Sequence, residues 1–450
     1  MTHLRFALAQ IDTCVGDLDG NADKIMHYAH LAAHEGARVV VFPEMTLTGY
    51  PIEDLALRRT FRKAAWDKAN WLATELEADG LGDLYVAVGT VGTDHASDKP
   101  RNRMVVLHDG MVWAGYDKHF LPNYGVFDEF RIFAAGDRTV VLDIDGVRIG
   151  VAICEDIWQD GGPVAELAKE NIDLLLTMNG SPYEEGKTDT RLDLAVRRAA
   201  EVNAPMIYLN QVGGQDDLVF DGGSFVVDRD GTLLERSPMF MEHLGLFDLD
   251  TDAEHQTTGD IADLSDPDEE VYTACVLGLK DYMAKNRFSG VCLGLSGGID
   301  SALVAAMAAD AVGGENVYGI SMPSSLTMLA RGLATIEGVV ADLSPEINVM
   351  NVVTARMGSQ LLHSIDWRGE IVRDAQAVYA SAHKSLEIPS LMADILRTGL
   401  KGEANLGVEH HVGDDMARLM QDAVLKLCAA LVAAAGTIGV VIPPSVPMVL

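Results

Sequence analysis

Basic residues are scarce in this sequence. Lysine and arginine number 34 against 67 aspartates and glutamates, a net charge of −33 at pH 7 over 450 residues. A surface of that sign repels phosphate backbones and argues against a nucleic-acid partner. It does not exclude a small anionic ligand, because a local pocket can override the global field. Cysteine is sparse too. Cys14, Cys154, Cys275, Cys292 and Cys428 lie scattered without paired spacing. That pattern is neither a disulfide framework nor a zinc site, and it suits a reducing cytosol. Long apolar runs are also missing. The nearest approach, Leu427 to Leu450, is broken by Gly436, Gly439, Pro443, Pro444 and Pro447, so no membrane span is expected. The opening MTHLRFALAQID has no basic stretch leading into an apolar core, so no secretory signal is expected either.

What is present is a globular balance, 48% hydrophobic and 22% charged, with length enough for two domains or more. Residues 1–250 alternate strand-like stretches (LRFALAQI, RVVVFPE, LYVAVGTV, RMVVLHDGMVWAGY, TVVLDIDGVRIGVAIC, DLLLTMN, APMIYLN, GSFVVD, GTLLERSP) with amphipathic helical ones. Asp109–Gly110, Asp145–Gly146 and Asp230–Gly231 mark hairpin turns. This is a mixed α/β domain with some antiparallel pairing. Residues 251–270 are polar and acidic and read as a linker. In residues 271–324 a helix is followed by strand GVCLGLS, a glycine-rich turn, helix SALVAAMAADAVG and strand NVYGISMP, the start of a doubly wound parallel-sheet domain. Residues 325–450 differ in texture. They hold no phenylalanine and read as a mostly helical tail, clearest over MADILRTGL and MARLMQDAVLKLCAALVAAAG.

Three apolar runs end in reactive side chains. Glu44 closes VVVFPE, Lys118 follows WAGYD and Cys154 closes VRIGVAIC. Strand ends are where α/β folds assemble sites. A deprotonated thiol is a strong nucleophile, a carboxylate can take its proton and pass it to a leaving amine, and an ammonium can stabilise an oxyanion. Each residue also has a plain reading, as a core cysteine or a solvated strand-end charge, and spacing alone does not show that the three meet.

FPEMTLTGYP, DKHFLPNYGVFDEFR and ICEDIW resemble the Glu–Lys–Cys motifs of the nitrilase amidohydrolase superfamily. TGYPIEDL, PNYGVFDE and CEDIW are similar to the glutaminase domain of glutamine-dependent NAD+ synthetases. The resemblance covers roughly residues 4–250. It implies an N-terminal αββα nitrilase-like sandwich, with Glu44 as proton acceptor, Lys118 as oxyanion stabiliser and Cys154 as nucleophile. It further implies Glu129 as a supporting acid, and glutamine contacts from Tyr124, Ser181 (in MNGSPYEEGK) and Lys187.

The loop LGLSGGIDSALVAA follows a strand and opens a helix. Its glycines let backbone approach a phosphate, and a helix N-terminus supplies aligned N–H groups. It lacks the Gly–Lys–Ser/Thr of a Walker loop. It resembles the pyrophosphate loop of N-type ATP pyrophosphatases, which implies an adenine-nucleotide-binding domain with ATP held by Gly294, Leu295, Ser296, Gly297, Gly298, Ile299, Asp300 and Ser301. Several amidotransferases carry a similar loop. Its pairing with an upstream nitrilase-type half points to NAD+ synthetases.

After Ser324 no further family motif is legible, and the chain is about a hundred residues short of what that family needs. The metal acid and the deamido-NAD+ contacts therefore remain unassigned, and the second domain is expected to be incomplete. A frame-shifted, a divergent or a fused tail would each account for the break. The resemblance implies a cytoplasmic homo-oligomer whose substrates are glutamine, deamido-NAD+ and ATP with Mg2+, and no prosthetic group. A plain amidohydrolase with a silent synthetase half, or a non-catalytic interaction subunit, are the other readings. The expectation for this chain is glutamine hydrolysis with little NAD+ formation.

Overall fold

A computed structural model of the chain describes residues 3–295 and 297–321. The expectations for Ser296 and for the helical tail over 325–450 lie outside the described residues. The chain begins with β1 (His3–Gln10), α1 (Leu18–His34), β2 (Val39–Val41), α2 (Arg59–Ala78), β3 (Tyr85–Thr93), β4 (Pro100–His108), β5 (Met111–Asp117) and a single helical turn, α3 (Glu129–Ile132). It continues through β6 (Val141–Ile144), β7 (Val147–Ile153), α4 (Gly162–Leu167), β8 (Leu174–Asn179), α5 (Lys187–Val202) and β9 (Met206–Asn210). Next come β10 (Val212–Gln215), β11 (Leu218–Asp221), β12 (Phe225–Val227), β13 (Leu233–Arg236) and β14 (His243–Asp250). The last described elements are α6 (Pro267–Lys285), β15 (Val291–Leu295), α7 (Ile299–Val312) and β16 (Val317–Ser321).

Two six-stranded sheets carry the first 250 residues. Their strand orders are β14-β1-β2-β3-β4-β5 and β13-β12-β9-β8-β7-β6. One continuous core lies between them. Phe6, Val41 and Met104 from the first sheet meet Val151, Leu176 and Ile207 from the second. On the outer side of the first sheet, Ala7, Val40 and Val88 pack against Ile25 of α1 and Leu72 of α2. On the outer side of the second, Ala152, Leu175 and Tyr208 pack against Val164 of α4 and Leu194 of α5. Sheets covered on both faces need near-continuous apolar strands, and LLLTMN of β8 is buried at every position. Each fully buried large aliphatic side chain contributes about 1.5–3 kcal/mol. The αββα order implied by the motifs is the architecture found.

Local chemistry sets the turns. Asp109–Gly110 (φ 50° and 71°) and Asp145–Gly146 (φ 54° and 84°) occupy the left-handed region at both positions, as two-residue hairpins require. The third expected Asp-Gly turn, between β12 and β13, has Gly231 alone at positive φ. Three strands were not expected from sequence. β10 and β11 form a two-stranded antiparallel hairpin in which β10 carries the Gly213–Gly214 pair, of poor strand propensity, while β11 is the short run Leu218–Asp221. β14 completes the first sheet by pairing antiparallel to β1 from His3↔Asp250 to Gln10↔His243.

The segment expected as a linker runs beside β13 before α6 begins at Pro267. Gly259 N–H donates to Leu234 O at 2.7 Å and Ala262 N–H to Arg236 O at 2.9 Å. Asp266 caps α6 by accepting from Asp268 N–H at 3.0 Å. β15 and β16 pair in parallel, joined through α7, in the expected strand–helix–strand order. Among the described residues no helix is long and apolar enough to cross a membrane.

One buried acid makes a stability test. Glu235 on β13 is 2% exposed, and its Oε1 accepts from Ser237 Oγ at 3.0 Å. Burial pushes its carboxyl from an ordinary 4.5 up to about 8. A raised acid binds its proton more tightly when folded, so its stabilising contribution is full below about 4.5 and is lost as pH rises through about 8. Glu235→Gln removes that titration. Its melting temperature should gain on the parent's steadily between pH 5 and pH 8, and a gap that stays constant across those pH values would contradict the assignment.

Candidate active site

The three strand ends converge. β2 ends at Val41 and the chain turns through Phe42 and Pro43 to Glu44; β5 ends at Asp117, next to Lys118; β7 ends at Ile153, next to Cys154. Lys118 is fully buried. Its Nζ lies 2.8 Å from Glu44 Oε1 and 2.8 Å from Glu129 Oε2. Glu44 is also held by Asn102 Nδ2 at 2.6 Å and by Gly180 N–H at 2.8 Å. A Cβ at Gly180 would meet Tyr50 Cδ1 at 2.9 Å, so only glycine brings that N–H to the carboxylate. Tyr50 OH donates to Glu129 Oε1 at 2.9 Å.

Electrostatics separate these groups. Burial acts to lower Lys118, yet Glu129 and Glu44 together hold it well above its ordinary value, so it stays an ammonium. Burial pushes Glu129 up against the opposing pull of Lys118. One cation among two buried acids leaves the cluster one positive charge short in a low-dielectric site. Burial and the neighbouring Glu44 push the Cys154 thiol well above its usual range, with Lys118 opposing. The resting sulfur is therefore a thiol, and a base must remove its proton before it can attack.

Cys154 sits at φ 44°, a left-handed conformation that side chains rarely adopt. It opens a short 3-10 turn, Cys154–Ile157, directly after β7. Asp156 in that turn is fully buried. It accepts from Ile153 N–H (3.0 Å), His119 N–H (3.0 Å), Phe120 N–H (2.8 Å) and Tyr116 OH (2.7 Å). One carboxylate thus ties the turn bearing Cys154 to the segment bearing Lys118. Strain at a reactive residue persists where its surroundings over-determine it.

The expected glutamine contacts are placed unevenly. Tyr124 OH donates to Glu155 Oε2 at 2.7 Å, one residue beyond Cys154, although Tyr124 itself is 54% exposed. Ser181 follows Gly180 and is buried; its N–H donates to Asn210 Oδ1 at 2.9 Å, and Arg191 Nη2 donates to its carbonyl at 2.9 Å. Lys187 starts α5 and lies 3.4 Å from Glu184 Oε2. The reading from sequence did not assign Asn102, Tyr50, Asp156 or Arg191. Tyr50 and Asp156 lie inside the quoted motifs TGYP and CEDIW. Asn102 and Arg191 carry no local signal, because their partners are distant in the chain.

In the second constellation, Gly294 and Leu295 end β15, Gly297 takes φ 79° with open space around it, and Gly298 is the N-cap of α7. Ile299 and Asp300 open the helix, so Asp300 is not its cap. Ser301 Oγ donates to Gly298 O at 3.1 Å. An open glycine turn feeding a helix N-terminus fits a phosphate. Elsewhere, Asp228, Asp230 and His255 bring their ligand atoms within 4.8 Å of one another. Asp228 there accepts from Arg229 N–H (2.8 Å) and Gln256 N–H (3.1 Å), which gives it a structural role in pinning the segment after β14.

The carbon-nitrogen hydrolase family model matches residues 5–257, and the NAD synthase model matches residues 271–362, continuing past Ser324. The glutamine-dependent NAD(+) synthetase of Acinetobacter baylyi is 40% identical over 329 residues, which is 73% of this chain and 59% of that protein. The one from Thermotoga maritima is 34% identical over 421 residues, covering 80% of this chain and 72% of its own. The glutamine-dependent NAD+ synthetase of Acinetobacter baumannii in complex with ADP has a TM-score of 0.68 at 33% identity, covering 80% of this chain and 72% of its own. The chain thus spans 59% of the length of the Acinetobacter baylyi relative.

The buried cluster predicts a coupled stability effect. Lys118→Met strands two buried carboxylates and should cost about 3–5 kcal/mol. Adding Glu129→Gln removes one of the stranded charges and should recover part of that loss. Urea-unfolding midpoints of the parent, the single variant and the double variant test this, and a single variant as stable as the parent would refute it.

Proposed function

Because the chain belongs to the glutamine-dependent NAD+ synthetase family, with a carbon-nitrogen hydrolase domain preceding an NAD synthase domain, we propose that it hydrolyses glutamine at Cys154 and uses the ammonia in ATP-dependent amidation of deamido-NAD+. The observation that carries this reading is the buried Glu44–Lys118–Glu129 cluster within electrostatic reach of the Cys154 thiol.

Glu44 accepts the thiol proton. The sulfur attacks the side-chain carbonyl of glutamine, and Lys118 Nζ stabilises the oxyanion that forms. Glu44 passes the proton to the leaving nitrogen, the C–N bond breaks, and ammonia departs from a γ-glutamyl thioester. Water, deprotonated by Glu44, then releases glutamate and restores the thiol. Glu129 orients Lys118, and Tyr124, Ser181 and Lys187 hold the glutamine. In the second half-reaction the loop from Gly294 to Ser301 binds ATP. The carboxylate of deamido-NAD+ attacks the α-phosphorus, pyrophosphate leaves, and ammonia displaces AMP from the acyl-adenylate. The open turn at Gly297 and the α7 N-terminus support phosphate binding there. Mg2+ would neutralise the ATP phosphates, and none of the described residues is assigned to it. A cytoplasmic homo-oligomer completes the proposal.

The test uses the purified 450-residue chain. It should release ammonia from glutamine, and Cys154→Ala should abolish that release. Lys118→Ala should lower kcat by about a hundredfold or more with a smaller effect on KM, since one oxyanion donor is worth about 3 kcal/mol. Supplying ammonium, ATP, Mg2+ and deamido-NAD+ isolates the second half-reaction. NAD+ formation supports the full proposal, and ammonia release without NAD+ supports the plain amidohydrolase. An alanine variant that still hydrolyses glutamine would overturn the assignment of Cys154.

A further inference from the structure

The β10–β11 hairpin lies between α6, the first helix of the NAD synthase segment, and the loop bearing Ser181. On the α6 side a single residue is gripped twice. Gly214 N–H donates to Asp281 Oδ2 at 2.6 Å, and Gly214 O accepts from Lys285 Nζ at 2.6 Å. The outward backbone groups of β10 are thus satisfied by helix side chains, as an edge strand requires. Lys285 also bonds Asp12 Oδ1 at 2.6 Å and Thr13 O at 2.8 Å, in the turn after β1. The approach is close: a Cβ on Gly214 would meet Gly278 Cα at 2.9 Å. Opposite Gly214 in the ladder stands Val219 of β11, whose carbonyl accepts from Tyr183 N–H at 2.7 Å. Asp221, at the end of β11, bonds Arg191 Nη1 at 2.5 Å. Arg191 in turn donates to Ser181 O (2.9 Å), Ser181 Oγ (3.2 Å) and Pro182 O (2.8 Å). Ser181 follows Gly180, whose N–H holds Glu44.

We propose that Lys285 and Asp281 are positioning residues for glutamine hydrolysis: by clamping Gly214 they fix the hairpin whose other edge bonds Tyr183 and, through Asp221 and Arg191, Ser181 and Pro182, so that α6 sets the shape of the glutamine site. The inference rests on the reading of Ser181 as a glutamine contact. It gives a helix of the ATP-binding half a direct mechanical hold on the glutaminase half. Neither residue touches the reacting atoms. Both act through Val219–Tyr183 and Asp221–Arg191, two hydrogen-bonded routes that begin on one strand.

Two variants of the 450-residue chain attack the clamp differently. Lys285→Met removes the ammonium, and Gly214→Ala wedges the hairpin away from Gly278 without changing charge. Both should raise the KM for glutamine by about tenfold, the loss of one modest coupling, while kcat changes less than threefold. Both should speed amide hydrogen exchange over residues 180–187 and 212–221 and leave β7 and β8 as protected as in the parent. Lys285→Arg should recover most of the KM. Unchanged exchange at 180–187 in both variants would overturn the proposal, as would protection lost equally in β7 and β8, which would show general destabilisation. The exchange measurement needs no turnover. If the parent does not hydrolyse glutamine, the reading of Cys154 fails on the activity assay, and the exchange pattern alone still decides whether α6 positions the loop.

Discussion

A lysine ammonium sealed between two carboxylates is the constraint around which this site is built. Lys118 has no solvent to neutralise it, and neither have Glu44 and Glu129. Buried charges of this kind persist only when each is paired and hydrogen-bonded. The supporting contacts follow from that requirement. Asn102 and the Gly180 N–H complete Glu44, and Tyr50 completes Glu129. These groups come from β4, from the loop after β8 and from the turn after β2, so electrostatic closure of the site binds both sheets together.

The same closure sets the electrostatics at Cys154. Burial raises the Cys154 thiol and the neighbouring Glu44 adds to the rise, while Lys118 opposes it. Burial that penalises the thiolate in the resting state strengthens every hydrogen bond offered to an oxyanion. Asp156 acts on the backbone. It draws three backbone N–H groups and a tyrosine hydroxyl into one point and so sets the spacing between the Lys118 and Cys154 segments. The left-handed backbone at Cys154 is the local cost of this arrangement, of order 1–3 kcal/mol.

The connection between the two halves is more than a tether. The acidic stretch after β14 runs along β13, and α6 then packs on the β10–β11 hairpin, which shares hydrogen bonds with the loop after β8. The hairpin beside the loop after β8 is thus bonded on its other edge by side chains of α6.

The sequence by itself determined the strand and helix periodicity, two type I′ turns at Asp-Gly pairs, and the three strand-end residues whose types suit thioester chemistry. Those are local properties, written within about ten residues and readable as pattern and motif. Its motifs pointed to the αββα sandwich before any packing was seen. What only the tertiary structure decided is everything that needs partners far apart in the chain. Asn102 reaches Glu44 across 58 residues, Arg191 meets Asp221 across 30, and Lys285 meets Asp12 across 273. β14 was not assigned from sequence although Phe247–Asp250 alternate apolar and acidic residues; its pairing with β1, 243 residues away at Arg5–Asp248, is what the fold adds. In the β10–β11 hairpin, Gly213 and Gly214 give β10 no strand signal and β11 is only four residues long, so their pairing shows only in the fold. Side-chain type is a property of a position, whereas burial and pairing are properties of the folded neighbourhood, and at this site the neighbourhood holds Lys118 as an ammonium and raises the Cys154 thiol.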